Sequence, residues 1–511
     1  MKKKGAFIAV MLAGVMTLGV TAAGCNKKED GGAHTVHTWS DYIADGENGH
    51  YRTTTCTVHD PIREANGAHE YDGDQDTDCN ACGYVRETGG GGTGDENPTN
   101  PSGPTTPTDP SKPTDPSNPT DPDAPIETPE EPVIPKPAAG APRITKASAG
   151  ELESAYVEWT AAEDADWYEV YYKSVEGEEW KQLDEPLVRQ YSDYYRADAI
   201  GLKAGIYEMK VVPVGTDGIA AENYSAVAQK ITVYAHDRSG FAFVDGTASG
   251  AYNEDGTLRA DANVVYVTDD TKDTVKLTLN GVDLVGLQNI LNAQKKAAAP
   301  LAVRMIGSIG SPAIDGSNNK SADTVLVKEI TSGVTIEGVG NDATANGWTL
   351  RLVSDDNVEV RNLGFMNTRA GEPDNLTLEK DSHIWVHNCD LFYGGAGGDS
   401  DQAKGDGALD TKTSTYITHS YNHFWDSGKC NLQNMKESGD FKITYHHNWY
   451  DHSDSRHPRI RTATVHVYNN YFDGNAKYGV GVTYGASAFV EGNYFRSTAT
   501  MRPMMSSRQG T

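Results

Sequence analysis

From about residue 240 onward, short bursts of alternating apolar and polar residues recur along the chain. VEVRNLGFM (358–366), IWVHNCDLF (384–392), YITHSYNHF (416–424), ITYHHNWY (443–450), VHVYNNYF (465–472) and FVEGNYF (489–495) are variants of one unit. Their closing residues fall at 366, 392, 424, 450, 472 and 495, giving steps of 26, 32, 26, 22 and 23. Alternation reads as strand, and a β-rich period in the twenties reads as stacked coils. No such coil can bury its apolar side alone, so the units must stack into a solenoid. No helical crossover separates the strands, which argues against a barrel or a doubly wound sheet. Two places before each closing residue stand Asn422, Asn448, Asn470 and Asn493. An Asn in register can occupy a left-handed bend and bond to the Asn of the coils above and below. The pattern predicts an all-β chain whose main part, residues 240–511, is a right-handed parallel β-helix.

The segment upstream alternates differently. Over 142–236, APRITKASAGELESAYVEWTAAEDADWYEVYYKS and then GLKAGIYEMKVVPV alternate as half-buried strands do, with Trp159, Tyr168, Val170 and Tyr172 inward. This segment resembles a fibronectin type III β-sandwich, with Trp159 as core tryptophan and Leu202, Gly205 and Tyr207 near its tyrosine corner. The resemblance implies a spacer. Residues 88–141 are rich in Pro, Thr and Gly, cannot bury a core, and predict an extended linker reaching on the order of 150 Å.

Residues 33–87 form a small unit with Cys56-x-x-His59 and Cys79-x-x-Cys82. Two such knuckles can present four ligands to a structural zinc ion. A Cys79–Cys82 or Cys56–Cys82 disulfide is the alternative in an oxidising compartment, and DGDQDTD is a weaker calcium candidate. The first 25 residues carry three lysines, an apolar run and small residues before Cys25, a bacterial secretory signal of the lipoprotein type. Acylated Cys25 would hold a secreted protein on the outer face of a membrane.

Charge sharpens this picture. The 511 residues carry a formal net charge of −28, so the overall field does not favour nucleic acid or anionic lipid. Against that background SDSRHPRIR (453–461) gathers Arg456, Arg459 and Arg461, and no aromatic platform accompanies it. A basic knot in so acidic a chain is a device for a local anion. The longest step contains GGDSDQAKGDGALDTK, where alternation from an inward Leu409 places Asp406, Ala408 and Asp410 on the outer face. One coil earlier GEPDNLTLEK supplies Glu372 and Asp374. Carboxylates of adjacent coils either remain as solvated loop acids or share a hard cation such as calcium.

SADTVLVKEITSGVTIEGVG, SHIWVHNCDLF, GDGALDTKTSTYITHSYNHFWDSGK, KITYHHNWYDHSDSRHPRIR and VHVYNNYF together resemble the pectate lyases of polysaccharide lyase family 1. By motif, Asp374 matches the first calcium aspartate, with Glu372 as an auxiliary ligand and Asp406 and Asp410 as the pair on the next coil. Lys429, in DSGK, matches the lysine that grips a substrate carboxylate. Arg456, in R-x-P-x-x-R, matches the proposed base, and Arg461 a substrate-binding arginine; Arg459 receives no role. The resemblance implies a secreted, monomeric, calcium-dependent lyase acting on polygalacturonate. Because arginine ordinarily stays protonated, a base of this type implies an alkaline rate optimum. Pectin lyase or another uronan lyase is the neighbouring reading, and a non-catalytic glycan-binding β-helix adhesin the different one. Two departures stand out. His387-Asn388-Cys389 follows Trp385-Val386 where the family often has Asp-His-Asn, and the sequence stops at MRPMMSSRQGT, where further coils and a cap are expected.

Overall fold

The computed structural model describes residues 131–136, 140–177, 179–313, 323–368, 374–392, 407–435, 437–498 and 503–507, plus the backbone of four two-residue strands between 38 and 55. Among the latter, Thr38–Trp39 pairs antiparallel with Thr54–Thr55, and Ile43–Ala44 with His50–Tyr51. Cys25, Cys56, His59, Cys79, Cys82, Glu372 and Asp406 lie outside the described residues.

Two four-stranded antiparallel sheets build the segment from Arg143 to Val233. Their inward residues bury Trp159, Tyr168, Val170, Met209 and Val211 almost completely, each large apolar side chain contributing roughly 1.5–3 kcal/mol. Tyr168 meets Trp159 edge-on at 5.3 Å, and the Tyr207 hydroxyl donates to the Lys203 carbonyl at 2.9 Å. Residues 131–136, within the span expected as linker, include a bridge to the sandwich. Val133 and Gln229 exchange two backbone hydrogen bonds of 2.9 Å, which dock residues 131–136 on the sandwich edge.

The sandwich, expected as a spacer, packs directly on the coils. Glu153, wholly buried, pairs with Arg238 and Arg361. Arg361 also donates to Glu337 at 2.7 Å and to Glu359 at 3.3 Å, and Val339 of the coils joins the sandwich core. Buried charges tolerate little misplacement once their partners are fixed, so this junction holds the two parts in one orientation.

The coils carry three stacked parallel sheets. Sheet I has eight strands, including Leu376–Glu379, Leu409–Lys412, Leu432–Gln433, Arg459–Arg461 and Val480–Thr483. Sheets II and III are joined through the long strand Val334–Asn346, which pairs with Asp356–Arg361 near its start and Gly364–Met366 near its end. Each later coil runs from sheet I through II to III, as in Leu409–Lys412, Thr415–Ser420 and His423–Trp425. Inward positions form one continuous core containing Leu352, Val360, Phe365, Leu378, Val386, Leu391, Phe424 and Phe472. This is a parallel β-helix. Its one α-helix among the described residues, Leu287–Gln294, was not foreseen; Leu287, Ile290 and Leu291 insert into the same core.

The Asn ladder is present in a different conformation from the one expected. Asn422 Nδ2 donates to Asn448 Oδ1 at 3.0 Å, Asn448 to Asn470 at 2.9 Å, and Asn470 to Asn493 at 2.9 Å. The left-handed residue is the one before each Asn: Tyr421, His447, Asn469 and Gly492 have φ of 56°, 52°, 53° and 61°. The sharp turn aims the following Asn inward, where its amide caps both the next ladder member and a strand carbonyl.

A second ladder marks the corner between sheets I and II. Asp355 Oδ1 accepts the Ile330 N–H, Asp381 Oδ1 accepts the Asp355 N–H, and Ser414 Oγ accepts the Asp381 N–H. Burial outweighs these donations and raises the Asp355 carboxyl to about 7 and that of Asp381 to about 8. The unfolded chain releases these protons near pH 4. Between about pH 4 and pH 7–8 the folded chain therefore holds protons the unfolded chain has lost, and this corner's contribution to stability declines as pH rises. Asp381→Asn is expected to flatten the decline of Tm with pH across that window. An unaltered slope would show that Asp381 stays ionised in the folded chain.

Candidate active site

The candidate side chains Asp410, Arg459 and Arg461 lie on sheet I, where adjacent strands keep a fixed register. Thr377 pairs with Asp410. Thr411 pairs with Gln433, and Leu432 and Gln433 pair with Arg459 and Ile460. Asp410 and Arg459 thus share one column two coils apart, about 9–10 Å at ordinary strand spacing. Lys412 and Arg461 share the neighbouring column.

Asp374 precedes the strand Leu376–Glu379 and is 4% exposed; Asp410 lies within the next strand and is 3% exposed. Thr377 Oγ1 donates to Asp374 Oδ2 at 2.8 Å, and the Leu432 N–H donates to Asp410 Oδ1 at 2.9 Å. Gly407 separates the two carboxylates. A Cβ there would stand 2.5 Å from Asp374 Oδ1 and 2.6 Å from Asp410 Oδ1. The ammonium of Lys412 lies 3.3 Å from Asp374 and 3.7 Å from Asp410. Two converging carboxylates with a cation between them, in a cradle that only glycine keeps open, fit a hard metal ion. Lys412 was not singled out in the sequence, although LDTK places it two residues from Asp410 on the same strand face.

The expected alternation holds from Leu409 but fails just before it. Ala408 is buried in the coil core beside Leu409 instead of facing outward with Asp410. Residues 407 and 408 precede the strand, so its two-residue period does not extend to them.

Lys429 lies one coil beyond Asp410. Its carbonyl accepts the Ala408 N–H at 2.9 Å, and it bridges in parallel to Ser455. Arg456 follows Ser455 on the next coil with φ of 65°, a conformation uncommon for a long side chain. Its carbonyl accepts the Asn431 N–H at 2.7 Å, which helps fix that turn. Arg459 and Arg461 alternate with inward Ile460 along one short strand. Burial, then the charges of Arg459 and Arg456, push the Arg461 guanidinium below its ordinary value. Arg459 Nε and Nη2 are buried without a hydrogen-bond partner, a costly state for a cation unless an anion completes it.

Cys389 and Cys430 are free and buried, and burial raises both thiols to about 12. They pack as small apolar groups. The Trp385–His387 departure also has a structural resolution. Trp385 Nε1 donates to Ser420 Oγ at 2.9 Å, His387 Nε2 contacts Glu359 at 3.1 Å, and His236 and Phe243 cover the Trp385 ring.

Acidic groups of two adjacent coils and basic groups of later ones thus lie along one sheet of a parallel β-helix. The sequence model of the family described as pectate lyase matches residues 217–510, and the chain belongs to that family. The pectate trisaccharide-lyase of Bacillus licheniformis is 31% identical over 228 residues, covering 44% of this chain and 62% of that protein. Pectate lyase A of Emericella nidulans is 33% identical over 189 residues, covering 36% and 56%. The chain therefore spans less than two thirds of these relatives' length. A solved pectate lyase from Bacillus sp. N165 in complex with trigalacturonate is 22% identical, covers 52% of this chain and 89% of that one, and superposes with a TM-score of 0.41.

Proposed function

We propose that the chain is a calcium-dependent pectate lyase that cleaves polygalacturonate by β-elimination. The observation that supports this reading best is the convergence of Asp374 and Asp410 around Gly407 on sheet I, with Asp410 in the column of Arg459. Calcium bound by Asp374 and Asp410, with Glu372 and Asp406 as further acidic candidates, supplies Lewis-acid stabilisation of charge on the uronate carboxylate. Lys429 and Arg461 grip substrate carboxylates through charge-assisted hydrogen bonds. Arg459, with two buried N–H-bearing nitrogens to satisfy, takes a neighbouring uronate. Arg456, unprotonated, accepts the proton from C5; the C4–O4 bond breaks, the C4=C5 double bond forms, and O4 leaves with the bonding pair.

Full-length protein mixed with polygalacturonate and calcium is expected to raise the ultraviolet absorbance of unsaturated uronides, and a chelator to abolish the rise. No rise with calcium present would sink the reading; a chelator-insensitive rise would assign the chain to the pectin lyase type.

The remaining parts belong to the same proposal. The sandwich is fibronectin type III-like on the strength of Trp159 and the Tyr207 corner. The protein is secreted and monomeric, acylated at Cys25, and stabilised by zinc on Cys56, His59, Cys79 and Cys82.

A further inference from the structure

The segment leaving the sandwich crosses the outer face of sheet II, a different face of the coil from the acidic site. There it brings Asp237 to the end of the strand Lys442–His446. His446 is the last, outward residue of that strand, in one column with Ser420 and Tyr468. His447 is the left-handed corner residue that precedes a ladder Asn. The corner turns the chain so sharply that both rings project to the same side. Their Nδ1 atoms are 2.9 Å apart. Asp237 Oδ2 lies 3.9 Å from His446 Nδ1, and one ligand atom from each of the three residues falls within 4.8 Å of the others.

The surroundings hold these atoms in place. His446 stacks on Tyr468 at 4.9 Å and 6°, and His447 stacks on Tyr421 at 4.7 Å and 3°. The Ser239 N–H donates to Asp237 Oδ1 at 3.1 Å, and Oδ2, which accepts from the Tyr421 hydroxyl at 3.4 Å, faces the imidazoles. Ser239 Oγ also meets the Tyr468 hydroxyl at 2.9 Å. Donors around a tetrahedral zinc ion stand about 3.3 Å apart, since each bond is about 2.0–2.1 Å. The separations of 2.9 and 3.9 Å bracket that value. Two imidazoles and one carboxylate suit zinc, cobalt or nickel, whereas calcium prefers an all-oxygen set. Asp237 keeps 39% of its side chain exposed, so an ion has an entry path and a solvent ligand a fourth position.

We propose that Asp237, His446 and His447 form a binding site for a divalent ion of the zinc class. Bound there, the ion cross-links the chain leaving the sandwich to a corner of the coil and fastens the two parts together. The site shares no residue with the proposed calcium site, so its test is independent of lyase activity.

Metal-stripped full-length protein titrated with Co2+ reads the site directly. Nitrogen and oxygen ligation gives visible d–d bands, whereas cysteine ligation near the N-terminus would add thiolate charge-transfer absorption. We expect His447→Gln and Asp237→Asn each to lose one equivalent of Co2+ bound without thiolate absorption, and zinc to raise Tm by more in the parent than in the variants, which keep only the cysteine-bearing site. His447→Gln alters an incompletely buried corner residue, and its metal-free Tm reports whether the variant is folded. Equal stoichiometry in parent and variants, or Co2+ bound solely with thiolate absorption, would overturn the proposal.

Discussion

Arg456→Lys is expected to cut turnover of polygalacturonate by about 100- to 10,000-fold, the range associated with a positioned proton-transfer group. The substitution keeps the positive charge and most of the length but removes the planar fork. Calcium affinity should stay close to the parent value, because the carboxylates of Asp374 and Asp410 are held by Thr377 and the Leu432 N–H, independently of Arg456. Arg459→Lys, three residues beyond the left-handed turn at Arg456, serves as the contrast. It should raise KM with a smaller change in kcat, since Arg459 is proposed to bind and not to react. Initial rates over a range of polygalacturonate and calcium concentrations separate the two. Near-parent kcat in Arg456→Lys would remove Arg456 from the proton transfer.

Gly407→Ala is expected to weaken calcium binding by about 10- to 100-fold, comparable to the loss when a metal ligand's support is disturbed. The added methyl would meet two carboxylate oxygens at 2.5 and 2.6 Å, far inside contact distance, so one or both acids must swing away. The signature is a rightward shift in the calcium dependence of rate, with much of kcat recovered at saturating calcium. An unchanged dependence would mean that Asp374 and Asp410 do not share the ion.

Periodicity revealed the coils because interior positions such as Val358, Ile384, Ile417 and Ile443 stack in one column and recur once per coil. It could not reveal the bend conformation. Left-handed backbone falls on residues as different as Tyr421, His447 and Asn469, so the stacking of coils imposes it and no local propensity announces it. Motif resemblance assigned Asp374, Asp410, Lys429, Arg456 and Arg461 to one site; the register of sheet I sets Asp410 in the column of Arg459 and Lys412 in that of Arg461, while Lys429 and Arg456 precede their strands. Lys412 stayed hidden because a lysine beside acids is ordinary in a charged loop until its ammonium is seen between two carboxylates. Glu153 with Arg361, and Asp237 with His446, join residues more than 200 positions apart. Such pairs follow from how the sandwich docks, and docking leaves no local trace in the sequence.

The Asn corner has a consequence for how such a chain can diversify. Steps of 22 to 32 residues separate successive coils, yet the strands remain in column because each circuit is re-zeroed where one amide meets the next. Extra residues are taken up between sheets III and I or, as at 434–441, between sheets I and II, and the gauge of about 4.8 Å between strands is untouched. A polyanion laid across sheet I therefore meets charges at set intervals whatever the loops do. Substrate preference can then be retuned one tooth at a time, by exchanging a single side chain in a column while its neighbours hold their places.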